Sequence, residues 1–161
     1  EQMSSSNQEL RQRALRALVD FGNVMTAEFF TFINKSAQNI AARSNKSRYV
    51  DLVYSLNKKF TMQTRLSALT LINLIIYRCP TDKRLAQFIA RLENLGLYDE
   101  LRGFADQKDP RVLDCLQNFQ LNTKQVFPSM QFEVEVHKNR IKNLEEHNSV
   151  LERKIEHYME Q

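Results

Sequence analysis

The residues best able to do chemistry are three histidines, two cysteines and a scatter of carboxylates, and their spacing argues against it. His137, His147 and His157 stand ten residues apart. On a helix of 3.6 residues per turn that interval scatters them around the axis, so they cannot share a metal. Cys79 and Cys115 form neither a metal-ligand nor a redox spacing and read as reduced packing thiols. There is no Gly-rich phosphate loop, nucleophile elbow or HExxH pair. Carboxylates alternate with Lys and Arg as solvent-face charge. No enzyme, no cofactor and no metal is expected.

The charge balance is mild, +4 from 23 basic and 19 acidic residues. The basic residues fall in separate clusters, Arg11/Arg13/Arg16, Lys58/Lys59, Lys83/Arg84 and Lys138/Arg140/Lys142. Solvated helix faces explain them better than a nucleic-acid footprint. No stretch reads as a signal peptide or a transmembrane segment, which predicts a soluble, cytoplasmic chain. Glu1 is not an initiator Met, so the chain reads as part of something longer. With 3 Gly and 3 Pro in 161 residues, the composition predicts an all-α protein.

The element that organises the rest runs from Met62 to Tyr77. Leu66, Ala68, Leu69, Leu71, Ile72, Leu74, Ile75 and Ile76 leave almost no polar arc, so neighbours must cover this helix on most sides. Thr61 should cap it and Pro80 should stop it. Its most polar stripe, Gln63, Ser67, Thr70, Asn73 and Tyr77, is a possible partner groove. Before it, helices are expected over about 8–20, ending at Gly22, over a second segment capped by Thr26, and over about 49–56. The first should bury Leu10, Ala14, Leu15, Leu18 and Val19. The second should bury Phe29, Phe30, Phe32, Ile33, Ala37, Ile40 and Ala41. The third should bury Val50, Val53, Tyr54 and Leu56. After Pro80, Thr81-Asp82 start a helix to about Asn94 with Leu85, Phe88, Ile89 and Leu92 inside. Gly96 should stop it, Leu97 should pack beyond the stop, and a short helix should follow over about 98–105. Asp109-Pro110 should start the next, to about Leu121. These short amphipathic helices with tight loops predict an armadillo-like right-handed helical stack over 1–128.

Residues 129–161 change character. With Val134 at position a of a heptad, a is Val134, Ile141, Asn148 and Ile155, and d is His137, Leu144, Leu151 and Tyr158. In a parallel pair, Glu133 would meet Lys138′, Arg140 would meet Glu145′, and His147 would meet Glu152′. Branched residues at a, Leu at d and a single Asn at a predict a parallel, in-register homodimer through a long C-terminal coiled-coil helix.

Thr70-Leu71-Ile72-Asn73, Pro80, Leu92-Glu93-Asn94-Leu95-Gly96-Leu97, Leu101 and the helix from Asp109 to Phe119 occur in an order that resembles the third formin homology region. That region is the armadillo-repeat regulatory half of diaphanous-type formins. The resemblance covers about 50–121. It implies a regulatory and dimerisation segment that takes part in autoinhibition by binding a C-terminal autoregulatory segment of the same protein. It also implies release by a Rho-family GTPase held mainly by residues upstream, actin contact only through other domains, and a cytoskeleton-associated location. The alternative is the engulfment-and-motility scaffold family acting in Rho/Rac signalling, which has a similar stretch at Leu71-Ile72-Asn73 and Pro80-Thr81-Asp82-Lys83-Arg84.

Overall fold

The computed structural model describes residues 5–105, 107–124, 141–142, 144–153 and 155. Among the described residues all regular structure is helical. The chain divides into two compact units, Glu1–Val126 and Phe127–Gln161. The first holds α1 (Ser5–Val24), α2 (Phe29–Ser44), α3 (Val50–Tyr54), α4 (Met62–Tyr77), α5 (Asp82–Asn94), α6 (Leu97–Ala105) and α7 (Pro110–Thr123). In the second, the described backbone at 141–142, 144–153 and 155 is helical.

Helix α4 begins where Thr61, in extended backbone, accepts the Thr64 N–H on Oγ1 at 3.3 Å. It ends two residues short of the residue before Pro80, with the Arg78 N–H on the Leu74 carbonyl. Ala68, Leu69, Leu71, Ile72, Ile75 and Ile76 are all buried. Each such large side chain contributes about 1.5–3 kcal/mol relative to exposure. The burial is possible because α1 packs along one flank of α4 and α7 along the other.

A charged residue is buried in this helix as well. Arg65 is 6% exposed, donates from Nε to the Leu56 carbonyl at 2.7 Å, and lies 4.2 Å over the buried Phe104 ring. Burial pulls its pKa below the ordinary guanidinium value, while Glu100 pushes it back up. The residue therefore ties α4 to the turn after α3 and to α6.

The elements run long, short, long twice: 16, 5 and 16 residues in α2, α3 and α4, then 13, 9 and 14 in α5, α6 and α7. The two sets meet at the aromatic ring of Phe88, which takes Phe30 and Tyr49 edge-on at 6.2 and 5.0 Å. Asn57 Nδ2 also donates to Glu100 Oε1 at 2.9 Å. Between the sets, Thr81 caps α5 by accepting the Arg84 N–H. Gly96 adopts φ +90, open only to glycine at low cost, and Leu97 beyond it is fully buried. Asp109 caps α7 through the Arg111 N–H at 3.0 Å, with Pro110 at the first helical position.

Four local expectations are corrected. Gly22 does not end α1; it lies inside the helix, where a Cβ would come within 2.5 Å of the Phe29 ring and 2.6 Å of Leu74 Cδ2. A close approach between helices, rather than a cap, demands glycine there. Thr26 is not the N-cap of α2, since Glu28 holds that position without a side-chain bond. In α1, Leu15 is buried, whereas Leu10 and Ala14 are exposed and Leu18 and Val19 half-buried. Of the residues expected inside the second and third helices, Phe32, Ile40 and Tyr54 are exposed, Ala37, Ala41 and Val50 half-buried, and Phe29, Phe30, Ile33, Val53 and Leu56 buried.

Candidate partner-binding site

The polar stripe of α4 is divided by its neighbours. Thr70 donates from Oγ1 to the Leu66 carbonyl and sits 3.6 Å from Cys115 Sγ. Asn73 donates from Nδ2 to the Cys115 carbonyl at 2.8 Å, and its buried Oδ1 has no partner. Both residues face α7, and their polar atoms serve the α4–α7 contact. Ser67 bonds back to the Gln63 carbonyl and is half-buried. Only Gln63 and Tyr77 lie open, Tyr77 at 70% exposure. The structure thus brings two of the five together against α7 and leaves two on the surface.

A larger concavity lies on the other side of α4. A cleft of about 340 Å³ runs between α1, α2 and α3. Leu15 and Leu18 of α1, Phe32, Ile33 and Ile40 of α2, and Val50 and Leu52 of the α3 segment line it. Leu71 and Ile75 of α4 also contribute, and Arg11, Lys46, Ser36 and Ser47 are among its polar residues. Arg11 is fixed there: its Nη1 donates to the Asp51 carbonyl at 3.0 Å and to Ser55 Oγ at 2.9 Å, and its guanidinium lies 5.0 Å from the Phe60 ring centre. Lys46 pairs with the Asp51 carboxylate at 3.7 Å.

Beside the cleft, α1 turns a second apolar stripe outward. Leu10, Ala14, Ala17, Phe21 and Val24 recur at helical spacing and all are exposed, Leu10 at 68% and Val24 at 83%. Phe21 packs its ring edge-on to the exposed Phe32 at 5.2 Å. The sequence carried this signal. Reading Leu10 and Ala14 together with Leu15 as one face hid the fact that α1 is apolar on two faces.

In the second unit, Ile141 is half-buried, while Leu144, Asn148, Leu151 and Ile155 are exposed. Val134, His137 and Tyr158, the other members of the expected seam, lie outside the described residues.

Burial shifts a thiol and a phenol among the described residues. Burial pushes the Cys79 thiol up, against the Thr81 carbonyl contact and Arg84. Burial likewise pushes Tyr49 up to about 12, with Arg91 and Arg48 pulling the other way, and its hydroxyl donates to Asn34 Oδ1 at 3.0 Å. Among the described residues no group of three or more His, Cys, Asp or Glu could hold a metal ion. No helix among them is long and apolar enough to cross a membrane.

Comparison with known proteins bears on the family. Residues 1–99 match the family model of the FHOD1/3 FH3 domain. Over 89 residues the chain is 28% identical to Formin-G of Dictyostelium discoideum, which covers 55% of this chain and 8% of that protein. The match therefore spans less than a tenth of that relative's length. No solved structure matches.

Proposed function

The chain belongs to the FHOD1/3 FH3 domain family of formins, and from that premise we propose that it is a non-catalytic regulatory and dimerisation segment of a formin. The single observation that carries the reading is the family match over 1–99. On this reading the helices form an armadillo-like stack. The repeated long, short, long order supports that, as do the contacts of the third helices α4 and α7 with each other and of α1 with α4. Two apolar faces on α1 suit a helix that sits between layers of such a stack.

Autoinhibition is the regulatory act. A C-terminal autoregulatory segment of the same formin docks as an amphipathic helix, with its apolar face in the cleft between α1 and α2, and a Rho-family GTPase controls its release. The cleft is favoured over the α4 stripe because its lining is apolar, whereas Thr70 has spent its donor on the Leu66 carbonyl within α4 and Asn73 has spent one on the Cys115 carbonyl of α7. Actin is met through other domains, and the location is cytoplasmic and cytoskeletal.

Dimerisation belongs to the C-terminal helix. Leu144, Leu151 and Ile155 are apolar and exposed in the single chain, and leaving such side chains wet costs about 1.5–3 kcal/mol each. A parallel partner covers them and lets Asn148 meet its symmetry mate. Light scattering of the chain should give a dimer, and deletion of 130–161 should give a monomer. Asn148→Ile should relax the register or raise the oligomer order. A monomer at high micromolar concentration with the helix intact would defeat this part of the reading.

A further inference from the structure

On the joint between the two helix sets, sharing Tyr49 with the cleft, lies a smaller pocket of about 210 Å³. Its walls are Phe30, Thr31 and Asn34 from α2, Tyr49 from the turn before α3, and Arg84, Gln87, Phe88 and Arg91 from α5. Every polar side chain here can donate a hydrogen bond and none is a carboxylate. Asn34 spends Oδ1 on the Tyr49 hydroxyl, which leaves its amide N–H groups unspent. Among the described residues, Thr31, Arg84, Gln87 and Arg91 have no side-chain hydrogen bond or ion pair.

The site is held in shape by its surroundings. Arg84, Gln87 and Arg91 stand at i, i+3 and i+7 on one face of α5. Phe30, Tyr49 and Phe88 form a buried aromatic wall. Tyr49 holds φ 65, a costly conformation for a bulky residue, and the ring packing keeps it there. Arg91 also lines the adjoining hollow with Arg48, Ser47 and Asn94, so a third guanidinium extends the positive surface.

We propose that this pocket binds the phosphate of a phosphorylated serine or threonine in a protein segment. Two guanidiniums flank the pocket with no acid to neutralise them. A phosphate carries about −1.5 to −2 charges at pH 7 and accepts forked Arg donors, whereas one carboxylate would leave a positive charge unmatched. The buried aromatic wall fixes the positions of the helices that carry these donors.

The test is a titration of the full chain with N-acetyl-phosphoserine amide, followed by amide chemical shifts. Saturable shifts at Thr31, Tyr49 and Gln87 are expected, competed by inorganic phosphate. Binding should strengthen as pH rises through about 6, where the phosphate takes its second charge. Arg84→Gln and Arg91→Gln should each weaken it about tenfold. Arg13→Gln, on an exposed α1 residue paired with Glu9, should leave it unchanged. N-acetyl-glutamate amide should bind at least about tenfold more weakly. Shifts that never saturate, or an equal loss in Arg13→Gln, would overturn the proposal in favour of diffuse ionic attraction. Binding to anionic phospholipid vesicles without binding to the small probe would overturn it in favour of a membrane surface.

Discussion

Helices α1 and α7 both pack on α4, yet their outward residues belong to different chemistries. On α7 the exposed positions are Pro110, Arg111, Asp114, Gln117, Asn118, Leu121 and Asn122, with Leu121 the single large apolar one. On α1 they include Leu10, Ala14, Ala17, Phe21 and Val24, continued on α2 by Phe32 and Ile40. A helix polar on its outer face can end a stack in water; one apolar on both faces is built to lie between neighbours. On the proposed reading, the outer face of α7 meets water and the outer face of α1 receives the autoregulatory segment.

The comparison breaks first if α4 is not the shared core. Ile72 is fully buried, and Ile72→Ala should cost about 2–5 kcal/mol in chemical denaturation. A loss under about 1 kcal/mol would mean that neither flank is anchored as described.

The two flanks can next be told apart by how closely they approach. The α1 side requires Gly22 against Phe29 and Leu74. Gly22→Ala should therefore cost about 1–3 kcal/mol by overpacking, and Leu74→Ala should recover part of it in a double-mutant cycle. Additive losses would show that α1 does not press on α4 at this point.

A pH measurement examines the joint between the helix sets independently of either flank. The folded pKa of Tyr49, about 12, lies above the ordinary value of 10.0 because of burial. The folded state therefore holds this proton longer than the unfolded state does. The stability tied to Tyr49 is complete below pH 10 and is lost as pH rises toward 12. Denaturation midpoints followed across that window should fall, and the fall should shrink in Tyr49→Phe. An identical slope in both proteins would mean that the ring is more solvated than its packing on Phe88 indicates.

How much of this was legible in the sequence depended on whether a residue's role was local. Thr61, Thr81 and Asp109 declared themselves as caps because a cap is satisfied two or three residues away. The core of α4 was legible because so few of its residues could tolerate water. Gly22 was misread because its reason is a contact with Phe29 and Leu74, distant in sequence. The role of Arg65 was not legible, since its partners, the Leu56 carbonyl and the Phe104 ring, meet only in the folded chain. The same holds for the α4 stripe. Nothing in the spacing of Thr70 and Asn73 says that Cys115 will stand against them. The cleft stayed hidden because an exposed apolar face and a buried one have the same period.

The smallest effects on stability should come from the outward faces, and they lead to the decisive contrast. Leu121→Gln should change the stability of the chain by no more than about 0.5 kcal/mol, and Phe21→Asn, which loses the edge-on contacts with Phe29 and Phe32, by about 1 kcal/mol. Their effects on function should differ. The most direct test adds the purified chain in trans to the actin-assembling half of the same formin and follows the rate of actin polymerisation. The chain should slow assembly in a saturable manner, Leu121→Gln should slow it equally, and Phe21→Asn combined with Ile40→Asn should lose the effect. Unchanged assembly at saturating chain, or equal inhibition by the α1–α2 variant, would contradict a regulatory role exercised through that open face.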